Sequence, residues 1–169
     1  YVQHLDTLPP ADAEALLLRI SPRIAAQAGR IAKLCGYLPL ALRLAASALA
    51  ESISLTPEKY LARLGDTRAR LDLVEASLTL SYDLLTADQQ ARWRALAVFP
   101  GSFALPAVLA VWGVTEDAAQ DRLDGLLRYS LLEWDAEWER YRLHDLARLF
   151  ADSRLANDER PAGALRHAG

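Results

Sequence analysis

His144 and Asp145 are the two residues in this sequence best placed to do chemistry. They stand where an alternating stretch gives way to a helical one, so the imidazole falls beside the unpaired backbone N–H groups of a helix start. Imidazole and backbone N–H groups gathered at one spot suit an anion. Asp145 reads as the cap of that helix. The competing use of the histidine is a hydrogen bond to a neighbouring carbonyl. A second candidate is the join "CGYLPLALRLAASALA", residues 35–50. Gly36 is placed to close one helix, and Pro39, with its fixed φ and missing donor, to open the next. The cap position then falls on Leu38, which has no side-chain oxygen. Either a ligand or a neighbouring segment completes that helix start, or Gly36 and Pro39 merely stop one helix and begin another.

Other chemistry finds little support. No G-x-x-x-x-G-K-[ST] phosphate loop occurs, nor G-x-G-x-x-G, G-x-S-x-G or H-E-x-x-H. His4, His144 and His167 are too far apart in sequence to suggest a ligand set, and the single cysteine, Cys35, excludes an internal disulfide or a cysteine-based zinc site. Carboxylate pairs such as Glu116-Asp117 fall in first helical turns, where the helix dipole accounts for them. The expectation is a segment that is not itself an enzyme and holds no metal.

The elements that must position these residues are mostly helices. The chain has 169 residues, 52 % hydrophobic, with a net charge of −3. That composition describes a packed protein rather than a disordered one, and argues against general binding to nucleic acid or anionic membrane. Nothing resembles a signal peptide and no apolar run reaches spanning length, so a cytoplasmic location is expected. The sequence has no methionine, which suggests a segment excised from a longer chain. Only Lys33 and Lys59 are lysines among 19 basic residues, which fits a GC-rich bacterial gene.

Periodicity predicts helices over residues 10–20, 22–35 (capped by Ser21), 39–50 and 57–64 (ended by Gly65-Asp66). The third is apolar almost all round and should lie at the centre of its unit. "DLVE" at 72–75 and "TADQ" at 86–89 have capping-box spacing and open helices to Leu84 and Val98. Helices follow over 105–112, ended by Gly113, and 115–129, capped by Thr115. The pattern then alternates, with Leu132 and Trp134 on one strand and Tyr141 and Leu143 on the other. A last helix runs from His144 or Asp145 to about Ala156. The expected fold class is mainly α: a four-helix-bundle-like domain over 1–70, a winged helix-turn-helix domain with a two-stranded wing over 71–157, and a tail or linker toward further repeats over 158–169. Trp93 and Trp112 belong to core stripes; Trp134 and Trp138 flank the wing turn, where one could be exposed at an interface.

A winged helix raises the question of DNA, whose binding depends on neutralising phosphates. The third helix has Glu116, Asp117, Asp121 and Asp124 against Arg122 and Arg128, a net −2. The wing has Glu133, Asp135, Glu137 and Glu139 against Arg140 and Arg142, again −2. Both elements would repel a duplex. A DNA-binding transcription module is therefore the alternative reading, and a protein-interaction domain without a nucleotide role is another.

Two stretches combine into a resemblance. "CGYLPLALRLAASAL" resembles the Gly-Leu-Pro-Leu motif of NB-ARC proteins, the nucleotide-operated switches of the STAND class. "RYRLHDLARLFA" is similar to that family's Met-His-Asp motif, with Leu143 in place of methionine. "LDTLPPADAEALLLRIS" resembles the segment entering the family's small helical domain, and "LSYDLLTADQQARWRALAVFPGSF" the opening of its winged helix. Tyr37 stands where a glycine or small residue is usual. The resemblance covers about residues 5–156 and implies the regulatory half of a switch, without the phosphate-loop core. It implies that Pro39 and Leu38 line the adenosine of bound nucleotide and that His144 reaches the ADP β-phosphate, with Gly36 and Asp145 in support. It further implies ADP or ATP, with Mg in the longer protein, held mainly by an upstream phosphate-loop domain. Downstream helical repeats, a role in bacterial signalling or transcriptional control, and oligomerisation on activation complete the expectation. DNA and membrane are not expected partners of this segment.

Overall fold

The computed structural model describes residues 6–68 and 71–159, which form a mainly helical protein with one small antiparallel hairpin. Two compact units divide the chain. The first is Tyr1–Leu85 with Gly125–Leu131, and the second is Thr86–Asp124 with Leu132–Gly169. His4, His167 and residues 160–169 of the expected tail lie outside the described residues.

In the first unit, α1 (Pro10–Ile20), α2 (Ala28–Leu34), α3 (Pro39–Glu51), α4 (Pro57–Arg68) and α5 (Leu73–Asp83) follow in order. α3 is the central rod, as its composition predicted: between Leu40 and Leu49 every residue but Arg43 is buried. Its alanines let α1 and α5 approach closely from two sides, while Leu42 and Leu49 fill the space between with Leu17, Ile24, Ile31 and Leu64. Each fully buried aliphatic side chain of this kind contributes about 1.5–3 kcal/mol relative to exposure. α5 packs against α3 and α4, so it belongs to the first unit by contact.

Arginines finish two of these helices, α3 and α2. The Arg23 guanidinium donates to the carbonyls of Leu49 (2.8 Å) and Ser52 (3.2 Å), supplying the C-terminal end of α3 with donors it lacks internally, and to that of Leu55 (2.8 Å) in the turn that follows. Arg68 does the same for the Leu34 carbonyl at 2.7 Å. Two expectations are corrected. Residues 22–35 are not one helix: Pro22–Gln27 is 3-10, and Gln27 at φ −111°, ψ −1° precedes the α-helical turn that follows. Ser21 does not cap it, since its hydroxyl is buried without a partner. α4 also runs through Gly65 and Asp66 to Arg68. Gly65 meets no neighbour that would penalise it, and a lone glycine weakens a helix without ending it.

In the second unit, α6 (Ala87–Ala95), α7 (Leu105–Trp112) and the first part of α8 (Glu116–Arg128), whose residues from Gly125 on belong to the first unit, precede the hairpin β1 (Glu133–Asp135) and β2 (Arg140–Arg142), and α9 (Asp145–Glu159) follows. This is the winged-helix order that the sequence predicted. Thr86 and Gln89 form the capping box of α6 in both directions, and Gly113, at φ 63°, ends α7. Trp93 is fully buried and faces Phe150 of α9 at 6.0 Å. Trp112 donates to the Arg92 carbonyl at 2.9 Å while Arg92 donates to the Trp112 carbonyl at 2.7 Å, a reciprocal lock between α6 and α7. Trp134 pairs with Tyr141 across the hairpin. Tyr141 also bridges to Phe103, with N–H···O distances of 2.9 and 2.8 Å, so the segment before α7 braces the wing. No helix is long and apolar enough to cross a membrane among the described residues.

Candidate functional site

The junction 35–42 lies in the first unit, and its geometry explains the residue types found there. α2 ends with the two closing hydrogen bonds of a left-handed helix terminus: Gly36 N–H to Lys33 O at 3.0 Å and Tyr37 N–H to Ala32 O at 3.1 Å. Gly36 takes φ 59° at no steric cost. A Cβ added there would stand 3.0 Å from Leu73 Cδ2. Tyr37 also takes a positive φ, 57°, where an L-residue is disfavoured by roughly 1–2 kcal/mol. A glycine, which with other small residues is what the family resemblance leads one to expect at this position, would carry no such penalty. The tyrosine offsets part of it by packing on the core, and its carbonyl accepts the Leu8 N–H at 2.8 Å, which ties down the chain leading into α1.

Leu38 is the cap residue of α3, at φ −82°, ψ 124°, and no side chain caps the helix. Its carbonyl accepts from Leu42 N–H at 2.9 Å, and its own N–H donates to Cys35 O at 3.1 Å. Pro39 is the first helical residue, as the sequence indicated. Leu38 and Pro39 are half-buried. Cys35 beneath them is fully buried with its Sγ 3.8 Å from the Ala41 carbonyl oxygen. Burial pushes its thiol up to about 12, against a small opposing pull from Arg68, so it is inert packing and not a nucleophile.

His144 and Asp145 lie in the second unit. The imidazole itself caps α9: Leu146 N–H donates to His144 Nδ1 at 3.1 Å, and Arg148 N–H donates to the His144 carbonyl at 2.9 Å. The expectation that Asp145 caps this helix is therefore corrected. Asp145 is already inside the helix, and its carboxylate accepts from Arg142 at 3.3 Å. A ring nitrogen that accepts carries no proton, so the proton sits on Nε2, and that nitrogen is a hydrogen-bond donor. Gly36, Leu38 and Pro39 thus share one junction, and His144 and Asp145 share one turn. A cleft of about 330 Å³ between α4 and α5, lined by Arg63, Asp66, Thr67, Leu80, Asp83 and Leu84, includes none of them.

Contacts that sequence reasoning missed bear on the DNA question. In α8, Arg122 donates to Asp88 at 3.1 Å and Arg128 pairs with Glu51 at 3.5 Å. Arg122, helped by Arg92, holds the Asp88 carboxyl below the usual 3.8. In the wing, Arg140 donates to Ser102 Oγ and O at 2.8 and 2.7 Å, and Arg142 to Asp145. All four arginines of the two elements that would face a duplex are engaged by the protein's own groups, while the carboxylates around them outnumber them. Ser130 is likewise unforeseen: it takes φ 57° at the end of α8, and its hydroxyl lies 2.6 Å from that of buried Ser47 on α3. Serine gives no sequence signal for that conformation.

No family model matches this chain. It is similar to the regulatory protein AfsR of Streptomyces coelicolor, 36 % identical over 178 aligned positions that cover 98 % of this chain and 18 % of that protein. It is equally similar to AfsR of Streptomyces griseus, 36 % identical over 170 positions, 93 % of this chain and 17 % of that one. The chain therefore spans less than a fifth of the length of these curated relatives, both of which are bacterial regulatory proteins.

Proposed function

We propose that this chain is the regulatory part of a nucleotide-operated switch in a bacterial regulator. In this reading the helical unit and the winged helix close over ADP held by a phosphate-loop domain elsewhere in a longer protein. The observation that carries the reading is the cap made by His144. Accepting the Leu146 N–H at Nδ1 puts the ring proton on Nε2, which makes that edge of the imidazole a donor of the kind a phosphate oxygen accepts from. Two further facts support it. The α3 start at Leu38-Pro39 has no side-chain cap, as expected of a helix tip completed by a ligand or neighbour. The similarity to two bacterial regulatory proteins extends over nearly the whole chain.

With ADP bound, Pro39 and Leu38 pack against adenosine and His144 donates to the β-phosphate. Exchange to ATP, with Mg, brings a γ-phosphate that the closed arrangement does not accept, and the winged helix swings away. A ligand shifts such an equilibrium only by its differential affinity for the two states. A hydrogen bond to a charged phosphate contributes about 1.5–3 kcal/mol, so losing it would change the closed-to-open ratio by roughly 10- to 150-fold. The test is ADP release from the longer protein: His144→Ala should speed release and raise basal output, whereas unchanged release with unchanged output would remove the reading. The 169-residue chain alone, lacking a phosphate loop, should show no ADP binding by calorimetry. Micromolar binding to it would mean that the division of labour is misassigned.

A further inference from the structure

We propose that the wing hairpin docks an arginine-rich segment of a partner protein. Around its turn the hairpin carries Asp135, Glu137 and Glu139. Arg140 and Arg142 stand across the hairpin from Asp135 and Glu133, so the excess negative charge lies on Glu137 and Glu139 at the turn. Asp135 stiffens the turn by accepting the N–H groups of Glu137 (3.0 Å) and Trp138 (3.2 Å).

Among these carboxylates the fold leaves two indoles in solvent: Trp138 is 70 % exposed and Trp134 45 %. Tryptophan is highly buried on average, and its exposure on a surface is a mark of interfaces. Trp134 is also braced from behind. Its ring lies 4.6 Å from Tyr141, Tyr141 lies 6.1 Å from Phe103, and Phe103 stacks on Phe99 at 4.5 Å. A rigidly held aromatic costs little further ordering when a partner covers it.

Charge selects the partner. The carboxylates attract cations and repel the phosphates of nucleic acid. The indole faces attract cations too, and the planar guanidinium stacks on them where an ammonium cannot. An arginine-rich protein segment satisfies both features at once.

The experiment titrates the 169-residue chain at low salt with an oligo-arginine peptide, followed by tryptophan fluorescence and calorimetry. Oligo-lysine and a DNA duplex run in parallel. Saturable binding is expected to oligo-arginine, weaker to oligo-lysine, and to fade as salt rises. Trp138→Ala should weaken it about threefold or more, and Glu137→Gln with Glu139→Gln by a similar factor. Asp12→Asn on α1 should leave it unchanged, and thermal melting should certify that each variant folds. Equal affinity in wild type and Trp138→Ala, tighter binding to the duplex than to the peptide, or no binding at low salt would each overturn the proposal.

Discussion

Replacing His144 by serine and by alanine separates the two jobs assigned to one imidazole. Nδ1 caps α9 by accepting the Leu146 N–H at 3.1 Å. Serine at the cap position can accept that donor, whereas alanine cannot, and losing a cap costs typically about 1 kcal/mol. For a protein of this size that amounts to a fall in Tm of roughly 2–4 °C. His144→Ala should therefore melt lower than wild type, and His144→Ser should melt close to it. Neither replacement carries the Nε2–H donor, so in the longer protein both should lose ADP to the same extent, by roughly 10-fold or more. Thermal denaturation of the chain and ADP release from the longer protein read the two jobs separately. If His144→Ser melts normally and also retains ADP normally, the imidazole is only a cap, and its role toward phosphate is refuted.

Further outcomes follow from the packing. Glu139→Gly, at an exposed position with φ 51°, should stabilise the chain by about 0.5–1 kcal/mol. Relief of roughly 1–2 kcal/mol of left-handed strain exceeds the roughly 0.5–1 kcal/mol of added unfolded-state freedom; a loss in urea denaturation would contradict the conformation. Arg23→Gln removes the guanidinium shared by three carbonyls at the end of α3 and in the turn after it, and should cost about 1.5–3 kcal/mol, read from the denaturation midpoint. Cys35 should resist a thiol reagent at pH 8 until the chain unfolds, because its folded pKa is raised from 9.0 to about 12. Since the folded value is the higher one, its contribution is fully present below pH 9 and is lost as pH rises toward 12. Rapid labelling of folded protein would refute its burial.

Proline, glycine and cap residues wrote most of the element order into the sequence. Pro39, Gly113, Thr86 and Asp72 act where their chemistry says they should, and alternation around the wing turn located the hairpin. Where reading failed, a tertiary contact overrode a local signal. Gly65 stays helical because Leu61 and Leu64 are held in the core on the same helix, and Ser21 is buried rather than capping. At the candidate site, Pro39 and the uncapped Leu38 were legible from residue type alone. The left-handed Tyr37 was not, because nothing in a tyrosine announces φ 57°. The exchange of capping from Asp145 to His144 was hidden too: histidine is a rare cap, and a one-residue shift of the helix start decides which side chain reaches the Leu146 N–H.

The most direct test is an experimental structure of the longer protein with ADP bound. His144 Nε2 should stand about 2.7–3.2 Å from a β-phosphate oxygen, with Pro39 and Leu38 in contact with the adenosine of the same molecule. ADP seated with neither residue near it would contradict the account.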